Sequence, residues 1–328
     1  MSIVESYGAI RGSAAAYRRG NRIVELTGPG RQQLLSTVVA RPTEYAQPGT
    51  LLESLVLDAE GRPTDLVLCI FDETRVLLLS DSQNSVLDDL EQTAGSCGIT
   101  DVRVTPLDGW STVAIEGPKA WRAVADLPGE EIAGVLLNEW RTIAGPLGTG
   151  EAIFARTGST AEYGYLVVAA ADPDVLLTWM TGLAESVGGA RCEPEALLRA
   201  RVEANHPVID GQFDGVSLQE AGMGWMAGAG REDQFRGRTT ADGPPQRRLV
   251  AVRSAHQLEA GDAVLAGDQP VGRVHLVAPR AGQDTTIALS LLERPFDVPG
   301  LRLSANGHEL VTVARPAVDP LSWLEEIE

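Results

Sequence analysis

The residue pattern predicts an α+β chain: ferredoxin-like α/β units followed by a small C-terminal β-barrel. Three observations carry that expectation. From Leu51 to Val104 the order is strand, strand, strand, helix, strand, which is a ferredoxin-like or split-βαβ rhythm. A similar rhythm restarts at Ser111, where Gly117-Pro118-Lys119-Ala120 opens a helix as Gly28-Pro29-Gly30 does earlier, a weak internal echo. Beyond residue 246 the pattern changes to short β segments at regular spacing.

The elements justify themselves in turn. Ile23–Leu26 is a short strand, and the glycine-proline turn after it feeds a helix over 31–40. Pro42 and Pro48-Gly49 open a new segment. Strands follow over 51–57 and 66–71, joined by the Asp58-Ala59-Glu60-Gly61 turn. The run Leu66-Val67-Leu68-Cys69-Ile70 is apolar without alternation, which predicts burial on both faces. A strand over 75–80 comes after the polar turn 72–74, and a helix over 82–93 carries Val86, Leu87 and Leu90 on one side. Val102–Val104 closes the first unit. Ser111–Ile115 begins the second, and strands at 153–156 and 165–169 flank a polar glycine-containing turn. Asp172 as N-cap and Pro173 at the first helical position launch a helix that stops at Gly188-Gly189. Another helix spans 193–203. The run Thr239–Gln246, rich in Gly, Pro and Thr, reads as a linker. Strands at 249–252, 271–276, 286–291, 301–303 and 309–313 then suggest the barrel.

Size and charge limit the function classes. At 328 residues the chain can hold two or three domains, and 44% hydrophobic content is ordinary for a soluble globular protein. The formal charge is −18, from 45 acidic against 27 basic residues. Such a surface repels a phosphate backbone, so nucleic acid is not an expected partner. An anionic ligand would have to meet a local arginine cluster. Cys69, Cys97 and Cys192 form no C-x-x-C pair and read as reduced thiols. The four histidines show no metal-ligand spacing, so no metal is expected. No stretch approaches the ~18 apolar residues of a membrane span, and the first residues lack signal-peptide character. The expectation is a cytoplasmic protein without a membrane partner. Walker A, G-x-S-x-G and dinucleotide-binding fingerprints are absent.

An ordered series of motifs remains. Gly61-Arg62-Pro63-Thr64-Asp65-Leu66 puts one carboxylate at the mouth of an apolar strand, where partial desolvation strengthens its interactions. Arg156-Thr157-Gly158-Ser159-Thr160-Ala161-Glu162-Tyr163-Gly164 lies between two strands. Gly189-Ala190-Arg191, Arg201-Val202-Glu203-Ala204, Glu220-Ala221-Gly222-Met223-Gly224-Trp225 and Phe235-Arg236-Gly237-Arg238 follow. This series resembles the aminomethyltransferase (glycine-cleavage T-protein) family of tetrahydrofolate-dependent one-carbon enzymes, from about Ile23 to Pro320. Gly261-Asp262-Ala263-Val264 and Pro270-Val271-Gly272-Arg273-Val274 are similar to that family's barrel strands.

The resemblance implies a three-domain folate-binding fold. Residues 1–42 with 109–240 would form a discontinuous folate-binding α+β domain. Residues 43–108 would be an inserted α+β domain carrying Asp65, and 247–320 the barrel. It implies Asp65 as the catalytic carboxylate, matching the second aspartate of Gly-Gly-x-x-Asp-Asp-Leu, with Thr64 replacing the first. It implies Glu162 as the residue that holds the pterin by accepting two N–H donors from the aminopyrimidine edge. Arg191 matches an arginine beside the folate and could hold a carboxylate. Arg156 belongs to the pterin loop, and Trp225 is a candidate wall; Arg201 and Glu203 read as mainly structural. Tetrahydrofolate is the implied cofactor, and a small one-carbon donor or acceptor the implied partner.

The chain departs from the family in ways that matter. Ser159, Ala161 and Tyr163 replace Tyr, Gly and Asp of the pterin loop, Cys192 replaces an aspartate, and Asn205 a glycine. Glu53 stands where the family has a tyrosine, and a lead-in of about forty residues is largely missing. These changes point away from glycine cleavage and toward a one-carbon transferase with a specialised substrate. One alternative is a non-catalytic folate-binding protein of the iron–sulfur maintenance type. Against it, residues 230–238 lack the cysteine of that branch's signature. A divergent member that no longer uses folate is the other alternative. The sequence leaves substrate, transfer direction and oligomeric state open.

Overall fold

The protein is seen in a computed structural model that describes residues 2–20, 22–82, 86–127, 132–228, 231, 235–238 and 244–324. Helix α1 (Ile3–Gly12) is launched by Ser2, whose hydroxyl accepts the Glu5 N–H while the Glu5 carboxylate accepts the Ser2 N–H. Strands β1 (Ala15–Arg18) and β2 (Arg22–Thr27) lead into α2 (Arg31–Val38). That helix ends two residues sooner than its sequence suggests, because Val39 is extended and bridges Val56. Strands β3 (Leu51–Leu57), β4 (Pro63–Phe71) and β5 (Arg75–Ser80) precede α3 (Val86–Cys97) and β6 (Arg103–Pro106). The second unit has β7 (Ser111–Glu116), α4 (Ala120–Val124), β8 (Trp140–Ala144), β9 (Glu151–Arg156) and β10 (Gly164–Ala169). Helix α5 (Pro173–Ser186) starts as expected, with Asp172 accepting the N–H groups of Asp174 and Val175. A two-residue strand β11 (Ala190–Arg191) and α6 (Pro194–Ala204) complete it.

Two sheets result. The first runs β11-β1-β7-β10-β9-β8, and the second runs β3-β4-β5-β2-β6. The second sheet takes β2 from outside residues 43–108, since Arg22–Thr27 pairs with β5 on one side and β6 on the other. Alternation along β7 shows how the layers stack. Val113 and Ile115 pack under α5 with Phe154, Val167 and Met180. Ala114 faces the other way, into a core shared with Leu68, Ile70, Leu77 and Leu79 of the second sheet. Val67, Cys69 and Leu78 point to the far side, against Leu34 and Leu35 of α2 and Leu90 of α3. The order is therefore helix, sheet, sheet, helices. This sandwich explains why β4 reads as an unbroken apolar run: both of its faces are covered.

The third body is the expected barrel. Strands β12 (Arg247–Ser254), β13 (Ala263–Ala266), β14 (Gln269–Val277), β15 (Thr286–Glu293), β16 (Arg302–Ala305) and β17 (His308–Val313) close in the order β12-β15-β14-β13-β16-β17. Val250, Val252, Val264, Val274 and Leu310 fill its interior. Leu249, Ala251, Ile287 and Leu289 pack outward on Leu55, Leu57, Leu66 and Val202, so barrel and sandwich share a core. The expected linker 239–246 falls largely on residues 239–243, outside the described set. No helix among the described residues is long and apolar enough to cross a membrane.

Candidate functional site

Asp65 lies near the start of β4, opposite Val56 of β3, and is 2% exposed. Its partners come from the end of β5. One oxygen accepts the Ser80 hydroxyl, and the other accepts the Ser82 N–H at 2.9 Å. Burial raises its pKa from 3.8 to about 6, although both of those bonds favour the charged form; the nearby charge of Asp81 adds to the rise. The carboxyl is therefore poised to hold or release a proton near neutral pH.

Between Ser80 and Ser82, Asp81 pairs with Arg201 of α6 at 3.3 Å. The Arg201 Nε donates to the Ser159 hydroxyl at 3.3 Å, which carries the network into the loop between β9 and β10. That loop is built around Glu116, the last residue of β7 and fully buried. Glu116 accepts the N–H groups of Ser159 and Thr160, both of their hydroxyls and the Tyr17 hydroxyl. Burial would raise its pKa, but these donors and the Arg19 charge hold it below the usual range. Gly164 is required by close approach, since a Cβ there would stand 2.6 Å from the Gly158 Cα. Sequence reasoning missed Glu116, whose only local signal is a carboxylate closing an apolar strand.

Glu162 points inward from the same loop, with a side chain that is fully buried. Its Oε1 accepts Arg11 of α1 at 3.2 Å, and its Oε2 accepts both the N–H (3.0 Å) and the hydroxyl (2.6 Å) of Ser322. Arg11 also bonds Glu203 at 3.1 Å and the Thr160 carbonyl at 2.6 Å. Glu203 in turn accepts Tyr7 at 2.7 Å and Arg199 at 2.6 Å. A carboxylate oxygen has two lone-pair sites, and a two-point grip on a pterin needs one free on each oxygen. Oε2 has none to spare. The expected grip does not fit this arrangement, because the C-terminal serine already fills it.

Glu53, at the position of the family tyrosine, anchors a further charge group. It accepts Arg19 Nη2 at 2.5 Å and His206 Nε2 at 3.1 Å. Burial opposes its charge, yet His206 and Arg19 outweigh that and pull its pKa from 4.5 down to about 2. The other ring nitrogen of His206 faces the Pro207 carbonyl at 3.1 Å. Arg19 Nη1 beside Glu53, Arg11 Nε beside Glu162 and Asn205 Oδ1 are buried without a hydrogen-bond partner. Buried groups of that kind are places for a water or a ligand's polar atoms.

Asp65 and Glu162 are thus linked by polar contacts through Ser82, Arg201 and Arg11, with two steps carried by the backbone, from Ser82 to Asp81 and from Ser159 to Thr160. The other three sequence candidates are not gathered into it. Arg191 is exposed on β11 and lines a surface cleft of about 650 Å³ with Tyr17, Arg18 and Cys192. Arg156 donates to the Val135 carbonyl at 3.2 Å and lies over the Tyr163 ring. Trp225 is half exposed in a separate groove with Tyr45, Leu136 and Leu137. Among the described residues no cluster of His, Cys, Asp and Glu could hold a metal ion.

Comparison with known proteins agrees with this architecture. The family model described as the GCVT N-terminal domain matches residues 20–230. An aminomethyltransferase of Streptomyces coelicolor is 25% identical over 294 residues, covering 84% of this chain and 77% of its own length. One from Ralstonia nicotianae is 29% identical over 262 residues, covering 75% and 69%. The crystal structure of glycine cleavage system aminomethyltransferase T from Bartonella henselae superposes with a TM-score of 0.78. That match covers 97% of this chain and 90% of the other at 19% identity, which shows the fold alone.

Proposed function

This chain belongs to the GCVT aminomethyltransferase family, and from that premise we propose that it is a one-carbon transferase acting on a specialised substrate. The observation that supports the reading is Asp65. Its carboxyl is buried, held at both oxygens by Ser80 and Ser82, and raised to about 6. A group placed in this way can take a proton from an incoming amine or thiol, or give one to a departing nitrogen, without rotating. Asp65 lies near the start of a strand whose residues from Leu66 to Phe71 are all apolar and buried. A buried charge that costs stability is better explained by chemistry than by folding.

Tetrahydrofolate enters this proposal from the family, where it supplies the nitrogen that carries the one-carbon unit. In this chain Glu53 replaces a tyrosine, and Glu162 is occupied by Arg11 and Ser322. Both differences support a substrate other than that of glycine cleavage. The saturation of Glu162 also favours a second reading, a divergent member that has dropped folate.

A transfer assay separates them. The purified chain would be incubated with tetrahydrofolate and a panel of N-methylated amines, and 5-methyltetrahydrofolate measured, since moving a methyl group from the amine nitrogen to a folate nitrogen, which gives up its proton to the departing amine, needs no oxidant. The proposal expects product, with turnover reduced by about 10²- to 10⁴-fold in Asp65→Asn. Unchanged turnover in that variant would contradict it, and absence of any folate product would favour the second reading.

A further inference from the structure

After β17 the chain leaves the barrel and returns to the first sheet. The Ala317 N–H donates to the Glu203 carbonyl at 2.7 Å, and Arg253 holds the Ala317 carbonyl at 3.0 Å. A short 3₁₀ turn over Leu321–Trp323 then delivers Ser322 to Glu162. The burial pattern of this turn is inverted. Ser322 is 6% exposed, whereas Leu321 is 44% exposed and Trp323 and Leu324 are each 72% exposed. Apolar burial normally anchors such a segment, and here its largest apolar side chains stay in water. What fastens the turn is polar: two charge-assisted bonds from Ser322 to Glu162 Oε2, and one from the Tyr163 N–H to the Ser322 hydroxyl at 2.9 Å. Three hydrogen bonds hold the turn, and because Leu321, Trp323 and Leu324 already lie in water, breaking those bonds lifts it without opening an apolar core.

We propose that residues 321–324 are a removable closure, with Ser322 as the group that controls access to Glu162. When the turn lifts, Oε2 recovers two acceptor sites, and Oε1 keeps one free beside the single bond from Arg11 that fixes the carboxylate's orientation. The exposed acceptor then suits a ligand presenting a pair of N–H donors, the aminopyrimidine edge of a pterin being the expected one. This inference rests on the folate reading of Glu162 and adds how that residue is reached. It also accounts for the conflict noted above: the grip does not fit because the closed form is the one seen.

Two variants test it, Ser322→Ala in the full chain and a chain ending at Pro320. The first readout needs no ligand: hydrogen exchange of the Tyr163 amide, whose acceptor is the serine hydroxyl. It should speed up at least tenfold in both. The second is equilibrium binding of tetrahydrofolate, which should tighten at least tenfold in both, with the gain cancelled by adding Glu162→Gln. Unchanged Tyr163 exchange would overturn the closure, as would a full chain that binds as tightly as the variants; the folate reading survives either result. If neither the full chain nor the variants bind, closure and folate reading fall together.

Discussion

Asp65 sits where its charge is disfavoured, and that sets its energetics. Raising a carboxyl from 3.8 to about 6 means the folded state binds its proton more tightly than the unfolded chain does. The unfavourable term is absent below about pH 4, grows as pH rises through the window to 6, and is complete at pH 7. Its size is roughly 3 kcal/mol, at 1.36 kcal/mol per tenfold change in proton affinity. Asn can keep the geometry, because the Ser80 hydroxyl can turn and accept from the amide. Asp65→Asn is therefore expected to raise stability at pH 7 by about 1–3 kcal/mol in urea denaturation, and by almost nothing at pH 4. A loss of stability at pH 7 would contradict the placement. The position of Asp65 was legible in the sequence, as a carboxylate opening an apolar strand. Ser80 and Ser82 were not, because the register of β4 against β5 decides which residues meet across the strands.

At the scale of elements, the loop between β9 and β10 shows how far local signals reach. Its glycines and its glutamate were readable, as were the two strands beside it. Its organiser, Glu116, lies about forty residues upstream, and its closure comes from Ser322. Neither separation leaves a periodic trace. Helix α1 was also missed, because Ile3, Ala9 and Ile10 are a thin apolar stripe. So was β8, where only Ile143 of five residues is buried. The strongly marked helix α5 is legible from Asp172 and Pro173 at its start and Gly188-Gly189 at its end. Within the loop, Ala161 has a φ of +70°, in the left-handed region that the family fills with glycine. An L-residue there is strained by about 1 kcal/mol or more, and glycine's extra freedom in the unfolded chain offsets part of the relief. Ala161→Gly should stabilise the protein by roughly 0.5–1 kcal/mol, read as a rise in denaturation midpoint with unchanged m-value. A fall would mean that the alanine methyl makes a contact worth more than the strain.

At the scale of the molecule, sandwich and barrel meet over an apolar core, and the polar network runs beside it through residues of β1, β3, β7 and α6. The fold class was legible because alternation, apolar runs and turn residues are local properties. The network was not, since its partners meet only in three dimensions: Arg19 and Arg201 face Glu53, Asp81 and Glu116, and the His206 ring bonds Glu53. Glu53, held at about 2, contributes with the opposite sign to Asp65. Its stabilisation is present above about pH 4.5 and is lost as pH falls toward 2. Glu53→Gln would leave Arg19 and His206 facing each other without their carboxylate. The expected cost at pH 7 is about 3–5 kcal/mol, shrinking steadily below pH 4.5. A difference that stayed constant with pH would show that the glutamate does not ionise in place.

The pH profile of transfer turnover, taken in the wild type and in Asp65→Asn, bears most directly on the whole account. The wild type should show a limb with an apparent pKa near 6, and the variant should fold normally, lack that limb and turn over at least a hundredfold more slowly. The same limb in both proteins, or a variant as fast as the wild type, would show that the buried aspartate is not where the chemistry happens.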